Sequence, residues 1–305
     1  MSEYVESIVA LPYAELPASL LEELTAAGLD PQKAYADVVA GIAEDLPGDD
    51  VTSWATIPAA TTDVADFVAR QDGVVAGLAL AELVFRYVLG NDVAIKRLVD
   101  DGTHVVKGDV LLTVEAPTAL LLTAERTALN FTCHLSGVAT ATAQWVRLLE
   151  GTTTRVRDTR KTIPGYRSYD KYAVRCGGGV NHRRDLSDQA LVKDNHVIAA
   201  GGVIQAYELI ARRYPDKKIQ VEVDRMSQLQ ELLDYGVKEI LLDNFTTDEL
   251  RAAVELTAGR ARLEASGGLT LESAAAVAAT GVDFIAVGAL THSAKVMDIA
   301  MDLRD

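Results

Sequence analysis

The sequence predicts an α/β protein in which a small α+β domain precedes a parallel α/β barrel. After Gly151, six short apolar runs alternate with helical stretches, an order that is typical of parallel strands joined by crossover helices. This number of units favours a barrel over an open sheet. In residues 62–115, short runs of alternating polarity are separated by turns and by one helical stretch, residues 79–89, which indicates a small α+β domain. Residues 297–303 alternate apolar side chains with aspartates, so we expect a strand that returns to the sheet of that domain.

The chain before the small domain's strands is predicted to be helical. Residues 14–45 are expected to form two helices, and the second begins with Asp30 as N-cap and Pro31 at the first helical position. The acid-rich residues 44–53 lack the ligand spacing of a calcium loop, which favours a surface turn over a metal site.

A helical segment is predicted to link the two domains. Residues 117–150 have a strongly helical composition, and we expect a break at Ser136 and Gly137. We place the N-terminal domain at residues 1–130, joined by a C-terminal strand at 292–305, and the barrel at residues 131–291. Within the barrel, helices are predicted at 200–214, 226–235, 246–258 and 270–280, and Thr246 with Glu249 forms a capping box.

Composition excludes several classes of protein. The 305 residues give room for two domains, and 49% hydrophobic with 24% charged residues is ordinary for a globular protein. Cys133 and Cys176 suit a reducing compartment and predict neither a disulfide framework nor a CxxC metal site. The acidic N-terminus soon reaches a proline, so we expect neither a signal nor a transit peptide, and no apolar run approaches the length of a membrane span. The expected location is the cytoplasm.

One basic segment stands out in this acidic chain. The chain has 29 Lys+Arg against 44 Asp+Glu, yet residues 155–193 hold ten basic side chains and four acidic ones. Such a cluster attracts small anions, whereas the acidic remainder argues against nucleic-acid or anionic-membrane binding. A solvated basic face is the alternative. The stretch from Arg157 to His196, however, mixes arginines with a triple glycine and two histidines, which is a poor composition for a solvated helix face.

Polar residues follow the predicted barrel strands at the points where the strands end. In a parallel barrel these ends face one mouth, so the groups are expected to converge. In chain order they are Arg160 and Lys161, Lys193 to His196, Glu222 and Asp224, Asp243 and Asn244, Ser266 to Gly268, and Gly288.

The chemistry of these groups indicates a phosphorylated sugar and a second anion. The glycine turns ASGG and VGAL end the last two barrel strands, where such barrels usually bind phosphate. Glu222 and Asp243 could hold a divalent cation or sugar hydroxyls, although each is equally well explained as a helix cap. This combination suggests glycosyl transfer.

The basic residues supply complementary donors. The planar guanidinium groups of Arg160, Arg175 and Arg183 can each form two parallel hydrogen bonds to a carboxylate or phosphate. The ammonium groups of Lys161 and Lys193 are point charges that could stabilise a departing pyrophosphate. His182 and His196 are candidate acid, base or anion-donor groups, and a structural role for His196 is equally supported.

Eight motifs resemble one family over nearly the whole chain, from residue 44 onwards. ERTALNF, DTRKTIPGYR, KYAVRCGGGVNHR, LVKDNH, VEVD, LLDNF, EASGG and VGALTHSA lie in the order and spacing of quinolinate phosphoribosyltransferase, the carboxylating nicotinate-nucleotide pyrophosphorylase. The resemblance implies an N-terminal α/β sandwich and an incomplete barrel of the type II phosphoribosyltransferase kind. It also implies a reaction of NAD biosynthesis, in which quinolinate and phosphoribosyl pyrophosphate with Mg²⁺ give nicotinate mononucleotide, pyrophosphate and CO₂.

The resemblance also implies roles for individual residues. Arg160, His182 and Arg183 would bind the quinolinate carboxylates, with Lys193 close by. Arg126, which the residues alone suggest is a surface side chain, would reach the site of the partner subunit in a homodimer. Phosphoribosyl pyrophosphate and its metal would be positioned by Lys161, Glu222 and Asp243, and the 5′-phosphate would meet Ser266, Gly267, Gly268 and Gly288.

Two alternatives remain at this point. A paralogue associated with molybdenum-transport operons shares much of the pattern, although Arg126, Arg160 and Arg183 together favour a dicarboxylate substrate. A carrier protein is the second alternative, because residues 101–117 resemble the strands of biotinyl and lipoyl domains. Neither Lys96 nor Lys107 has the setting of a modified lysine, so we interpret these strands as structural.

Overall fold

The computed structural model describes residues 8–304 of the chain. The first seven residues, on which part of the leader-sequence prediction rests, lie outside the described residues. The chain forms two compact units: unit 1 contains Met1–Ala141, Ser168–Gly177 and Ala294–Asp305, and unit 2 contains Thr142–Arg167 and Gly178–Ser293. In the described part of the chain, no helix is both long and apolar enough to cross a membrane.

The helices are numbered in chain order. They are α1 (Ala18–Ala26), α2 (Pro31–Asp45), α3 (Val51–Thr56), α4 (Leu78–Leu89), α5 (Thr118–Leu148), α6 (Arg167–Cys176), α7 (Asp194–Ala200), α8 (Val203–Arg213), α9 (Met226–Tyr235), α10 (Thr247–Thr257), α11 (Leu271–Ala278) and α12 (Ala289–His292). The strands are β1 (Thr62–Ala69), β2 (Gly73–Val74), β3 (Ala94–Arg97), β4 (His104–Val105), β5 (Val110–Pro117), β6 (Arg155–Arg157), β7 (Ala190–Val192), β8 (Ile219–Val223), β9 (Glu239–Asp243), β10 (Arg262–Ser266), β11 (Phe284–Ala286) and β12 (Ile299–Leu303).

Unit 1 is built on a four-stranded antiparallel sheet in the order β12-β1-β5-β3. The predicted return of the C-terminus is confirmed, because β12 pairs with β1 from Ala65 opposite Leu303 to Ala69 opposite Ile299. Arg304 adds a bidentate ion pair to Asp66, at 2.8 Å for each bond. The helical predictions also hold here: Asp30 caps α2 by accepting from the backbone N–H groups of Gln32 and Lys33.

The linking helix α5 is continuous, so the expected break at Ser136 and Gly137 is wrong. Gly137 is needed for a different reason: a Cβ there would lie 2.2 Å from the backbone oxygen of Lys295. Ser136 uses its hydroxyl to accept a hydrogen bond from the N–H of Ala76, at 3.0 Å. These two small residues allow neighbouring segments of unit 1 to approach the helix closely, at a cost in helix propensity of about 1 kcal/mol for the glycine.

The middle of the basic segment packs in unit 1. Helix α6 directs Tyr169 to the carboxylate of Asp37, at 2.5 Å, and Tyr172 to Asp101, at 2.6 Å. Arg175 donates to the backbone oxygen of Ala27. The basic segment is therefore not a single anion-binding surface, and Arg175, a predicted fork for carboxylate or phosphate, serves a packing role in unit 1.

Unit 2 contains a six-stranded parallel sheet in the order β6-β11-β10-β9-β8-β7. Crossover helices connect its strands, as the alternation of strand and helix patterns predicts. Within residues 8–304, the edge strands β6 and β7 are not hydrogen-bonded to each other, so the sheet stays open on that side, which agrees with an incomplete barrel. The capping box of Thr246 and Glu249 is present at the start of α10.

Candidate active site at the strand ends

Strands of unit 2 place polar side chains in one pocket, because every second residue of a strand faces the same side of the sheet. Alternate positions face the same side of the sheet, so residues two apart on one strand share a face. The pocket lining follows this rule on β9 and β10, because Asp243 lies two positions after Leu241 and Ser266 two after Glu264. On β8, Glu222 lines the pocket and Gln220 lies two positions before it. The pairing register sets Ser266 directly opposite Asp243.

The pocket is a cavity of about 420 Å³, a size suited to a small-molecule site. Its lining includes eight of the residues that the sequence singled out, namely Arg160, Lys161, His182, Arg183, Lys193, Glu222, Asp243 and Ser266. Glu264 and the apolar side chains of Leu191, Leu241 and Ala286 line it as well. Cations therefore outnumber carboxylates around a partly apolar cavity, a combination that suits an anionic ring compound.

The turn after β6 places Arg160 and Lys161. Thr159 accepts a hydrogen bond from the Lys161 N–H at 3.0 Å, and Thr291 donates to the Lys161 carbonyl at 2.7 Å, which fixes the backbone of the turn. A Cβ at Gly288 would lie 2.9 Å from Cδ of Lys161, so the absence of a side chain at Gly288 leaves room for the lysine stem. Nε of Arg160 is buried and has no hydrogen-bond partner among residues 8–304.

Asp158 anchors the loop that carries the second arginine. This carboxylate is fully buried and accepts from the backbone N–H of His182, at 2.9 Å, and from the side chain of Asn181. Arg183 is 8% exposed and donates to the carbonyl of Gln189 at 3.0 Å. Burial and then the neighbouring Arg160 guanidinium lower the pKa of Arg183 from its usual value, although arginine stays charged at neutral pH. Two guanidinium groups held together in a buried pocket favour the binding of an anion.

Lys193 is a further cation in the lining of the pocket. Its ammonium group lies 3.0 Å from Oε2 of Glu222, across the pair of strands β7 and β8. Its backbone N–H donates to Nδ1 of His196, at 2.9 Å, as part of the cap of α7. His196 is therefore a capping residue here, which decides between the two interpretations that the sequence left open.

The glycine turn ASGG, which the sequence predicts as a phosphate-binding turn, lies at the end of β10. Gly267 has φ +95°, and a Cβ there would lie 2.1 Å from Oδ1 of Asn244, so only glycine fits. Gly268 also has a positive φ, +59°, but no neighbouring atom lies within 4 Å of a Cβ at that position. Asn244 donates to Asp243 through its side chain, at 2.7 Å, and to the carbonyl of Ser266 through its backbone, at 2.9 Å. The two strand ends are thereby joined.

Four predicted site residues do not line the pocket. Gly267 and Gly268 directly follow Ser266, and Gly288 lies beside Lys161, so these three border the same strand ends. Arg126 is different, because it belongs to unit 1, where it is exposed on α5.

Sequence reasoning missed Gln220 and Glu264. Both lie inside barrel strands, and each is only 1% exposed. The sequence signal that could have identified them is a polar side chain within a short apolar run, in IQVEV and RLEAS. A buried polar group without a hydrogen-bond partner costs free energy, so such a residue in a strand interior indicates a specific partner. Glu264 accepts from Arg157 at 2.8 Å and from Gln220 at 3.0 Å.

Two family models match the chain in succession. The model described as quinolinate phosphoribosyl transferase, N-terminal domain, matches residues 50–136, and the C-terminal domain model matches residues 138–302.

Individual proteins agree with the family models. The chain is 49% identical over 265 residues to a nicotinate-nucleotide pyrophosphorylase [carboxylating] of Mycobacterium leprae, covering 85% of this chain and 93% of that protein. It is 39% identical over 275 residues to a quinolinate phosphoribosyltransferase [decarboxylating] of Nicotiana glauca, covering 83% and 77%. The solved structure of the nicotinate-nucleotide pyrophosphorylase from Francisella tularensis superposes with a TM-score of 0.86 at 35% identity, covering 90% of this chain and 96% of that one.

Proposed function

Because the chain belongs to the quinolinate phosphoribosyltransferase family, we propose that the pocket at the strand ends is its active site. The enzyme is a pentosyltransferase that transfers the phosphoribosyl group of phosphoribosyl pyrophosphate to quinolinate with loss of a carboxyl group. The products are nicotinate mononucleotide, pyrophosphate and CO₂, in de novo NAD biosynthesis. One observation carries the assignment of the pocket: the buried Arg183 and the half-buried Arg160 share a cavity with two strand-end carboxylates.

Quinolinate binding is assigned to the arginine side of the pocket. Quinolinate carries two adjacent carboxylates on a flat ring, and the guanidinium forks of Arg160 and Arg183 match such groups in charge and geometry. Lys193 lines the same pocket as a further cation. The apolar side chains of Leu191, Leu241 and Ala286 give the aromatic ring a surface to pack on.

Phosphoribosyl pyrophosphate is assigned to the carboxylate side. Glu222 and Asp243 can accept hydrogen bonds from the ribose hydroxyls, and Lys161 supplies positive charge for the pyrophosphate. The glycine turn at Gly267 and Gly268, with Ser266 and Gly288, offers backbone N–H groups for the 5′-phosphate, as glycine turns after the last barrel strands commonly do.

Mg²⁺ fits this arrangement as an ion that arrives with the substrate. Among residues 8–304, no group of three or more His, Cys, Asp or Glu side chains is placed to hold a metal. Two carboxylates together with substrate phosphates are, however, the usual setting of Mg²⁺. We propose that Glu222 and Asp243 hold the ion, which when bound neutralises charge that develops on the departing pyrophosphate.

The chain's own residues act by positioning and charge stabilisation. The pyridine nitrogen of quinolinate attacks the anomeric carbon of the ribose as the bond to pyrophosphate breaks, and the ribosyl centre has oxocarbenium character at that point. Loss of CO₂ from C2 then leaves the bonding electron pair on C2, where the adjacent positively charged nitrogen stabilises it. A proton from water adds at C2, and the nitrogen keeps its positive charge in nicotinate mononucleotide. No protein nucleophile is required, so the arginine clamp and the lysines contribute by holding both substrates in line and by balancing charge.

We propose further that the enzyme is a homodimer located in the cytoplasm. Arg126 is exposed on α5, and the family resemblance assigns to it a role in the partner subunit's site. Cys133 and Cys176 are both free thiols, which suits a reducing compartment.

Product analysis tests the proposed function. The purified protein should form nicotinate mononucleotide from quinolinate only when phosphoribosyl pyrophosphate and Mg²⁺ are both present. Nicotinate in place of quinolinate is the matched control, because it lacks the C2 carboxylate. Equal turnover of nicotinate, or none of quinolinate, would contradict the proposal and favour the molybdenum-associated paralogue.

A further inference from the structure

The hydrogen bonds around His182 define which of its ring nitrogens carries a proton. Nδ1 lies 2.6 Å from the backbone nitrogen of Arg183. A backbone N–H can only donate, so Nδ1 is the acceptor and has no proton of its own. The imidazole is therefore the neutral tautomer that is protonated on Nε2.

The second ring nitrogen leads into a chain of buried polar groups. Nε2 of His182 lies 2.7 Å from Oε1 of Gln220, and Nε2 of Gln220 lies 3.0 Å from Oε2 of Glu264. Because a carboxylate only accepts, the Gln220 amide must turn its nitrogen to Glu264 and its oxygen to His182. That orientation requires a donor on Nε2 of His182, which agrees with the tautomer deduced from Nδ1.

Arg157 completes the chain at its far end. Nη1 of Arg157 lies 2.8 Å from Oε2 of Glu264, and its guanidinium carbon lies 3.4 Å from the centre of the Phe284 ring. The arginine is thus fixed by an ion pair on one side and by an aromatic face on the other. Gln220 and Glu264 are each 1% exposed, so water does not compete for these hydrogen bonds.

Glu264 holds a second acceptor near the same proton. Its Oε1 is buried, has no hydrogen-bond partner within the described part of the chain, and lies 3.6 Å from Nε2 of His182. A carboxylate at this position electrostatically favours a proton on Nε2, so both oxygens of Glu264 act in the same direction.

We propose that Arg157, Glu264 and Gln220 form a buried relay that fixes His182 as its Nε2-protonated tautomer, and that all three are positioning residues for the reaction. Both ring nitrogens of His182 are then engaged by the protein. The imidazole lines the pocket in a fixed orientation and has no N–H group free to donate to quinolinate. The substrate carboxylates are then bound by Arg160 and Arg183. The identity of the substrate in this statement rests on the proposed function, whereas the state of the imidazole does not.

Nitrogen NMR of the full-length protein tests the relay directly. The protein is labelled with nitrogen-15 histidine and measured at about pH 8, above the ordinary pKa of imidazole. His182 is one of five histidines, and its signals are assigned by their loss in His182→Asn. The expected spectrum shows an unprotonated Nδ1 and a protonated Nε2. A protonated Nδ1, or averaged signals from two tautomers, would overturn the relay.

Addition of quinolinate tests the second half of the proposal. If His182 donates no hydrogen bond to quinolinate, its Nε2 proton stays hydrogen-bonded to Gln220, and both nitrogen signals keep the pattern of the free protein. Proton gain on Nδ1, or a large shift of Nε2, would mean that His182 donates to the substrate, and the proposal would be wrong. The tautomer of the free protein is read whether or not the enzyme turns over quinolinate, so failure of the proposed function would be seen separately.

A double-mutant cycle supplies a kinetic readout. Gln220→Leu should lower kcat/KM for quinolinate about 10-fold or more, and it should add no further loss in a His182→Ala background, because the relay acts through His182. Gln230→Leu is the matched control, since it removes an amide-to-carboxylate hydrogen bond, to Asp234, on the exposed face of α9. Losses that add fully in the double variant would overturn the positioning role.

Discussion

Lys193, which directly follows β7, and Glu222 on the neighbouring strand β8 form an ion pair, 3.0 Å from Nζ to Oε2, at the pocket that the two substrates are proposed to share. Nearly half of the Lys193 side chain is exposed, whereas that of Glu222 is mostly buried. The pair thus holds together the quinolinate side and the ribose side of the pocket in the free protein. Binding of both substrates would replace it by contacts to a carboxylate and to a sugar or metal ion, which separates the roles of the two residues.

Glu222→Gln should impair use of phosphoribosyl pyrophosphate more than use of quinolinate. The variant keeps the size of the side chain but removes the charge that is proposed to attract Mg²⁺. We expect the Mg²⁺ concentration for half-maximal activity and the KM for phosphoribosyl pyrophosphate to rise about 10-fold or more. Steady-state kinetics at varied Mg²⁺ provides the measurement, with Asp248→Asn, which breaks an exposed ion pair to Arg251 on α10, as the control. An unchanged Mg²⁺ requirement would remove Glu222 from the metal site.

Arg183→Ala should abolish productive quinolinate binding without unfolding the protein. The loss of a charge-assisted contact in a buried pocket costs about 2–4 kcal/mol, or about 30- to 1,000-fold in kcat/KM. Kinetics with quinolinate measures the loss, and circular dichroism reports on folding. Arg251→Ala serves as control, because that arginine is half-exposed and forms an ion pair with Asp248 of its own helix. Unchanged quinolinate kinetics would contradict the clamp of Arg160 and Arg183.

The two glycines after β10 should respond differently to alanine. Gly267→Ala combines a positive φ with a clash against Asn244, whereas Gly268→Ala meets no neighbouring atom and only adopts a left-handed backbone. We expect Gly268→Ala to lose about 1–2 kcal/mol of unfolding free energy and Gly267→Ala to lose more. Gly267→Ala should also raise the KM for phosphoribosyl pyrophosphate. Urea denaturation and kinetics test both statements, and equal behaviour of the two variants would refute the close approach of Asn244.

Mixing two inactive variants tests the role of Arg126. If Arg126 acts in the partner subunit's site, a dimer of one Arg126→Ala chain and one Arg183→Ala chain has one intact site. Half of randomly reassorted dimers are mixed, so the mixture should recover about one quarter of wild-type activity. An assay after subunit exchange measures the recovery. A mixture as inactive as each variant alone would contradict a role across the interface.

Much of the fold could be predicted because its signals are local. Alternating polarity identified strands of unit 1, and short apolar runs between helical stretches identified those of unit 2. Asp30 and Thr246 identified helix starts, and the aspartates at 298 and 302 indicated a strand that returns to β1. The error at Gly137 has a clear physical cause. A glycine in a helix can mark a break or a close contact, and only the position of Lys295 in space distinguishes the two.

The candidate site could be predicted where its residues lie at strand ends. Arg160, Lys193 and Asp243 follow apolar runs, so topology alone brings them together. Gln220 and Glu264 were missed because they lie within strands, where the pattern suggests core, and their partners come from other strands. The role of Arg175 could not be assigned from the sequence, since its place in a basic segment gave no sign that α6 packs in unit 1.

The most direct test of the account is release of CO₂ from quinolinate labelled in one carboxyl group at a time. We expect the purified protein to release label from the C2 carboxyl and to retain the C3 carboxyl in nicotinate mononucleotide, and we expect release to require both phosphoribosyl pyrophosphate and Mg²⁺. Release without phosphoribosyl pyrophosphate, or no release by the folded protein, would contradict the assignment of this pocket to decarboxylating phosphoribosyl transfer.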